Sequence, residues 1–277
     1  MEEKTEQLPE ITMIQVQKRR KDRFNIYLDG EYAFPISEAV LIKTGLYKGM
    51  TLTKERQETI EEENSQYLAY TIAVDYLSYG LRSEKEVRQK LLDNEIEMRY
   101  IHTTLERLRD QMYINDQIYG ESYTRTAANI NRKGPRQIAQ DLKAKGLDDE
   151  TISHSLMEYP DNQQLENAQY LAEKAMNKQS RTSSKDAQMK VRLHLQQKGY
   201  PKEIINQVFD GLDSEKSEED ELFALRIQGD KVWRRYSRKA EGRELEQKVK
   251  GNLYQKGFPG DLINQYIEEK KQEMDVE

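Results

Sequence analysis

The sequence predicts a mainly all-α fold of tandem three-helix bundles in an elongated curved array, preceded by a small β-rich module. Three observations predict it. A five-position apolar skeleton recurs four times along the chain. Two segments before residue 35 alternate apolar and polar residues with a period of two. Charged residues make up 34% and hydrophobic residues 36% of the 277 positions, a polarity suited to small stacked bundles and not to one large core.

The β module comes first. ITMIQVQ and RFNIYLDGEYAF both alternate as strands do. Asp29-Gly30 between FNIYL and EYAF marks a hairpin, because a type I′ turn needs positive φ at both central residues. Ser37 starts a short helix, SEAVLIKTG, that Gly45 ends. YKGMTLTKERQETIEEEN then reads as a brief turn or strand and a polar helix, with Glu61 to Asn64 as the exit. The expected divisions are 1–64 for this module, then repeats at 65–115, 116–160, 161–212 and 221–272.

The repeats are aligned on the residue after a helix–helix turn: Ile96, Leu147, Tyr200 and Phe258, spaced by 51, 53 and 58 residues. Nine before stand Val87, Ile138, Val191 and Val249; five before, Leu91, Leu142, Leu195 and Leu253. Five after stand Ile101, Ile152, Ile205 and Ile263; nine after, Leu105, Leu156, Phe209 and Ile267. Self-similarity at such a period marks stacked repeats. The skeleton is core, each buried aliphatic side chain contributing roughly 1.5–3 kcal/mol. A leading helix precedes each pair: about Tyr67 to Tyr79, Gln117 to Ile130, Leu165 to Asn177 and Glu221 to Arg238.

Helix termini agree with this division. Ser83-Glu84-Lys85-Glu86 is a capping box. Pro135 sits in the first turn of its helix. Asp148 caps the third helix of repeat two, where Pro201 and Pro259 stand in repeats three and four. Gly146, Gly199 and Gly257 end the middle helices, and Glu95 stands there in the first repeat. Asp213 to Asp220 is an acidic linker where bending is expected.

Catalytic chemistry finds no support. There is no Cys, hence no disulfide or thiol nucleophile. His102, His154 and His194 fall in different repeats without metal-ligand spacing. No Walker loop and no GxSxG are present. We expect no enzyme activity, no cofactor and no metal. The polar start MEEKTEQLPE predicts no signal peptide, and no run approaches membrane-spanning length, so a soluble cytoplasmic protein is expected.

The net charge of −6 disfavours nucleic acid as a partner of the whole chain, but the charge is segregated. Arg125, Arg132, Lys133, Arg136, Lys143 and Lys145 face only Asp141 between residues 125 and 146. Lys174 to Lys202 is basic against Asp186, and Lys231 to Lys250 is basic with Glu241, Glu244 and Glu246 interspersed. Stacked in register, these clusters would form one stripe for a polyanion or an acidic groove; an ordinary solvated face is the equal alternative. Tyr123 and Tyr236 are candidates for stacking on bases, against a packing role. The contact candidates are Arg82, Arg132, Lys133, Arg136, Lys143, Lys145, Lys190, Arg192, Arg234, Arg235 and Arg238.

YLSYGLRSEKEVRQKLLDNEIEMRYIHTTLERLRDQMYIND and GPRQIAQDLKAKGLDDETI resemble the RecX family, regulators of the RecA recombinase. The recurring family pattern lies at Tyr76-Leu77, Arg82 to Leu91 and Gly134 to Leu147, and the resemblance covers about residues 66–272. A fourth repeat and the β module depart from short family members and are similar to long Gram-positive types. The resemblance implies a non-enzymatic, monomeric protein that binds the RecA–DNA filament along its groove, acting in recombination, repair and the SOS response. It would restrain filament growth, ATP hydrolysis and strand exchange, with single- or double-stranded DNA as a further partner and no membrane. Arg82, Lys133, Arg136 and Lys145 are the first choices for contact. A sequence-tolerant DNA-binding repeat module and a general protein-interaction scaffold are the alternatives.

Overall fold

The computed structural model describes residues 8–18, 20–212 and 217–276. It divides into two compact units, the first ending at Tyr119 and the second starting at Gly120.

The first unit begins with strands β1 (Ile11–Val16), β2 (Arg23–Leu28) and β3 (Glu31–Ser37), an antiparallel sheet in the order β1-β2-β3. Asp29 (φ 49°) and Gly30 (φ 91°) make the two-residue turn between β2 and β3. Alternation turns Ile11, Ile26, Phe34 and Ile36 inward, onto Val40 of helix α1 (Glu38–Thr44) and Ile60 of helix α2 (Lys54–Ser78). Ser37 caps α1 and Gly45 closes it in the left-handed conformation.

Helix α2 corrects one expectation. The polar helix of the β module and the leading helix of the first repeat are a single helix of 25 residues. No Gly or Pro interrupts residues 54–78, so nothing breaks the backbone hydrogen-bond ladder. Asn64 holds the β module on its side: its carboxamide oxygen accepts from Ser37 N at 2.8 Å, and its Nδ2 donates to Pro35 O at 3.3 Å. The later turns of α2 pack Ala69 and Ala73 against α3 (Glu84–Asp93) and α4 (Met98–Asp110). Ser83 and Glu86 form the reciprocal capping box.

The second repeat holds α5 (Asp116–Asn129), α6 (Pro135–Ala144) and α7 (Asp149–Leu156). The third holds α8 (Asp161–Met176), a 3-10 turn, α9 (Ser184–Gln197) and α10 (Lys202–Gly211). The fourth holds α11 (Glu218–Tyr236), α12 (Gly242–Gln255) and α13 (Gly260–Val276). All twenty skeleton residues are described; Ile96, Leu156 and Phe209 are half-buried and the others buried. Of the acidic linker, residues 213–216 lie outside the described residues. Ser217 already caps α11, so Glu218 to Glu221 are its first turn, where carboxylates complement the helix dipole.

Gly146, Gly199 and Gly257 all have φ between 84° and 94°. Glu95 takes the same left-handed region at φ 60°, so the turn geometry is kept even where a side chain makes it costly.

Helix ends join consecutive repeats within the second unit. Gly134 N donates to Lys198 O at 2.7 Å and Arg136 N to Gly199 O at 3.1 Å, so the start of α6 sits on the α9–α10 turn. A Cβ on Gly134 would lie 2.3 Å from the Gly199 carbonyl carbon, and one on Gly199 would lie 2.4 Å from Gln137 N. The next pair repeats the arrangement: Ser183, the cap of α9, donates its hydroxyl to Lys256 O at the end of α12. A buried tyrosine pair completes the first joint. Tyr159 and Tyr200 hydroxyls are 3.3 Å apart, Tyr200 donates to Arg132 O at 3.0 Å, and Asn167 donates to Tyr159 at 3.0 Å.

Carboxylates close the opposite ends. Asp116 accepts from Glu84 N at 2.8 Å, and buried Glu221 accepts from Ser184 N and from Ser184 Oγ at 2.7 Å. At the matching place in the second repeat stands Pro135, which has no N–H to offer. The α8 residue in the position of Glu221 is neutral Gln164, turned onto Tyr159 O.

Two predictions follow from these joints. Gly134→Ala forces backbone apart and should cost roughly 1–3 kcal/mol, whereas Gly251→Ala, in open space inside α12, should gain roughly 0.5–1 kcal/mol; thermal or urea denaturation reads both. Burial first, then its bond with Tyr159, pushes the Tyr200 hydroxyl far above the ordinary value of 10.0. The unfolded chain loses that proton near pH 10 while the folded chain keeps it. Stability is therefore retained below pH 10 and falls as pH rises past it. Tyr200→Phe should cost roughly 1–3 kcal/mol of stability at neutral pH through the unpaired Arg132 carbonyl, seen as a lower melting temperature, and should flatten the alkaline decline.

Candidate functional site

Many of the basic residues are engaged by neighbouring side chains. In the first unit, the Arg82 guanidinium lies 4.7 Å from the Tyr76 ring centroid and Lys90 Nζ 5.8 Å from it. Such stacking holds a cation against its own helix pair.

In the second unit, Arg132 stacks at 4.1 Å on Tyr170. Lys133 donates to Asp141 at 2.7 Å, and Asp141 also receives Tyr123 OH at 3.0 Å and Gln137 Nε2 at 3.2 Å. Burial alone would raise the Asp141 carboxyl, but the bonds from Lys133, Gln137 and Tyr123 hold it below its ordinary value. The bond to Asp141 in turn raises the Lys133 amine. Lys133 and Tyr123 are thus a closed internal network, and Tyr123 is not a free stacking platform. Tyr236 is likewise packed against the core of the fourth repeat.

Acidic residues on the middle helices pair with two further lysines. Lys190 pairs with Asp186 at 2.8 Å and Lys248 with Glu244 at 2.6 Å, both at i, i+4 spacing. Lys143 pairs with Asp149 at 2.8 Å with both groups well exposed, a contact of little energetic weight. Lys145 is half-buried at the end of α6. Arg234 and Arg235 lie exposed on the last turn of α11, and Arg238 just beyond it.

One place does gather cations from two repeats. Arg136 of α6, Arg192 of α9 and Lys202 of α10 line a groove of about 490 Å³, with Gln196, Glu203 and Asn206. The amide of Arg136 is one of the two that fasten α6 to Gly199, so the joint itself delivers this side chain to the groove. Arg192 is aimed by two contacts: its guanidinium stacks 4.1 Å from the Phe209 ring, and Nη1 donates to Asn206 Oδ1 at 3.1 Å. Lys250 and Asn264 repeat that bond at 2.7 Å in the fourth repeat. Two guanidiniums and an amine beside backbone turns suit carboxylates or phosphates, which arginine grips bidentately.

Sequence reasoning named Arg136 and Arg192 separately, from charge clusters 56 positions apart, and did not select Lys202 or Asn206. The i, i+4 acid–lysine spacing was the available signal that Lys190 and Lys248 are paired. The helix–turn–helix reading meets an obstacle in the same geometry. The turns at Gly199 and Gly257 are covered by the starts of α6 and α9, so neither is open to a duplex groove.

No group of three or more His, Cys, Asp or Glu able to hold a metal ion occurs among the described residues, and no described helix is long and apolar enough to cross a membrane.

The Regulatory protein RecX N-terminal domain matches residues 9–53, the first three-helix domain of RecX residues 69–108 and the second residues 115–156. The third three-helix domain matches twice, at 161–209 and 218–267, so the fourth repeat is a second copy of the third type. Regulatory protein RecX of Bacillus cereus strain B4264 is 39% identical over 267 residues, 95% of this chain and 98% of the relative. That of Bacillus mycoides strain KBAB4 is 38% identical over the same spans. A crystal structure of regulatory protein RecX superposes with a TM-score of 0.59 at 36% identity, covering 73% of this chain and 100% of the other. RecX from Lactobacillus salivarius gives 0.53 at 38% identity, covering 55% and 98%. With this identity over nearly its full length and matches to every domain of the set, the chain belongs to the RecX family of regulatory proteins.

Proposed function

We propose that this protein binds the RecA–DNA filament and restrains its growth, its ATP hydrolysis and its strand exchange. Membership of a family of regulatory proteins supports a regulatory role. The observation that carries the contact surface is the groove of Arg136, Arg192 and Lys202, built across the joint between the second and third repeats. Its cations are oriented by stacking and by a side-chain amide, which lowers the entropy lost when an acidic partner docks. Acidic walls of the filament groove, or the phosphates within it, are the partner. The DNA-binding alternative loses ground because the glycine turns at Gly199 and Gly257 are occupied by neighbouring repeats.

Of the four first choices for contact, Arg136 keeps that role. Arg82 and Lys133 act in holding their repeats together.

Recombinase ATPase on single-stranded DNA, with this protein added below one-to-one, tests the reading. Inhibition at substoichiometric addition is expected, and it should weaken as salt rises through the range that screens exposed charges. Arg136→Glu with Arg192→Glu should raise the concentration for half-inhibition by about tenfold or more, a loss of ~1.4 kcal/mol, with helicity unchanged. Lys133→Glu should instead lower the melting temperature, since it leaves Asp141 beside a like charge. Full inhibition by the double variant refutes the groove as the contact; absence of inhibition by the unaltered protein refutes the function.

A further inference from the structure

The third repeat contains a second basic feature that the filament reading does not use. A cleft of about 380 Å³ opens between α8 and α9. Lys174 and Lys178 reach it from the leading-helix side, and Lys190, His194 and Lys198 from α9, over a floor that includes Val191. Among the described residues no Asp or Glu lines it. Asp186 neutralises Lys190 from the side, which leaves three amines without a carboxylate in the cleft.

The second repeat shows what this arrangement lacks. Asp141 and His194 both stand six residues before the turn residue of their repeats, and Lys145 and Lys198 both stand two before. Asp141 and His194 each face the leading helix of their own bundle. In the second repeat the position carries a carboxylate that collects Lys133, Gln137 and Tyr123 into a closed network. In the third repeat His194 stands in place of that carboxylate, Lys198 keeps the place of Lys145, and further cations come from Lys174, Lys178 and Lys190. Burial, then the charges of Lys198 and Lys178, hold His194 below its ordinary value, so the ring is neutral at pH 7 and ready to accept a proton when an anion arrives.

We propose that this cleft binds a multiply charged phosphate group, a diphosphate or a phosphomonoester, at the place where the second repeat keeps its own carboxylate. Three amines and a protonatable imidazole exceed what one side-chain carboxylate balances, whereas a phosphate dianion or diphosphate matches them, and lysine serves such groups as a point charge. The binding is independent of the Arg136–Arg192 groove, so neither reading depends on the other.

Titration calorimetry of the full chain with inorganic diphosphate at pH 7.5, in two buffers of different ionisation heat, tests it. The unaltered protein should bind with a proton-uptake component that His194→Gln removes. His194→Asp, which copies the second repeat, should weaken binding at least tenfold while keeping helicity. Lys178→Gln with Lys198→Gln, which leaves the imidazole in place, should weaken it comparably, and serves if His194→Asp does not fold. Adenosine diphosphate binding more tightly than inorganic diphosphate, with the same dependence on His194, assigns the source to a nucleotide; equal binding assigns it to free phosphate. Diphosphate binding unchanged in both His194→Asp and the lysine double variant overturns the proposal, as does competition by sulfate at matched ionic strength that equals that of diphosphate.

Discussion

The contact on which the second unit depends is backbone against backbone, Gly134 on Gly199. The last carbonyls of a helix have no partner within it, and left buried they would destabilise the fold. Here the final carbonyl of α9, at Lys198, is taken by an amide of the preceding repeat, and that of α12, at Lys256, by the hydroxyl of Ser183. The N-terminal amides of middle helices are met by Asp116 and Glu221 from the leading helix of the next repeat. Consecutive repeats are thus joined by exchange of helix-end hydrogen bonds. Such bonds are directional, and they set register more tightly than apolar burial does.

This joinery also decides which charges reach solvent. The middle helix must meet its own leading helix, and charged residues on that side either pair or stack. Lys133 with Asp141 and Arg82 on Tyr76 are the outcome within a repeat, and Arg132 on Tyr170 of α8 is the same kind of stacking across a joint. Where the second and third repeats meet, guanidiniums from both converge on open space, at Arg136 and Arg192. A family resting on one bundle repeated can then vary its surface by changing one position per repeat. The third and fourth repeats, matched by the same domain description, share an acid–lysine pair and an asparagine that holds a cation, while the second repeat replaces that pattern with its closed carboxylate network.

Much of the fold was legible because it rests on local rules. The five-position skeleton, the Asp29-Gly30 turn, the Ser83 capping box and the left-handed glycines are each decided within a few residues, and each is found in the structure. The continuous α2 was misread because a change of neighbours, from β3 to α3, leaves no mark on a helix that lacks a breaker. The candidate site was legible only as composition. Counting Lys and Arg against Asp and Glu along the chain cannot tell a solvated cation from one bonded to Asp141, since that depends on which face of α6 meets Tyr123 of α5.

The sequence by itself determined the number of repeats, the residues that fill their cores and, outside α2, where most of their helices start and stop, since periodicity and capping act over one to three turns. Only the tertiary structure decided why Gly134 and Gly199 must be glycines, which arginines meet across a joint and which repeat is left with cations lacking a carboxylate. Those outcomes depend on backbones approaching to hydrogen-bond distance across more than sixty residues of chain, from Gly134 to Gly199. No local preference encodes that approach.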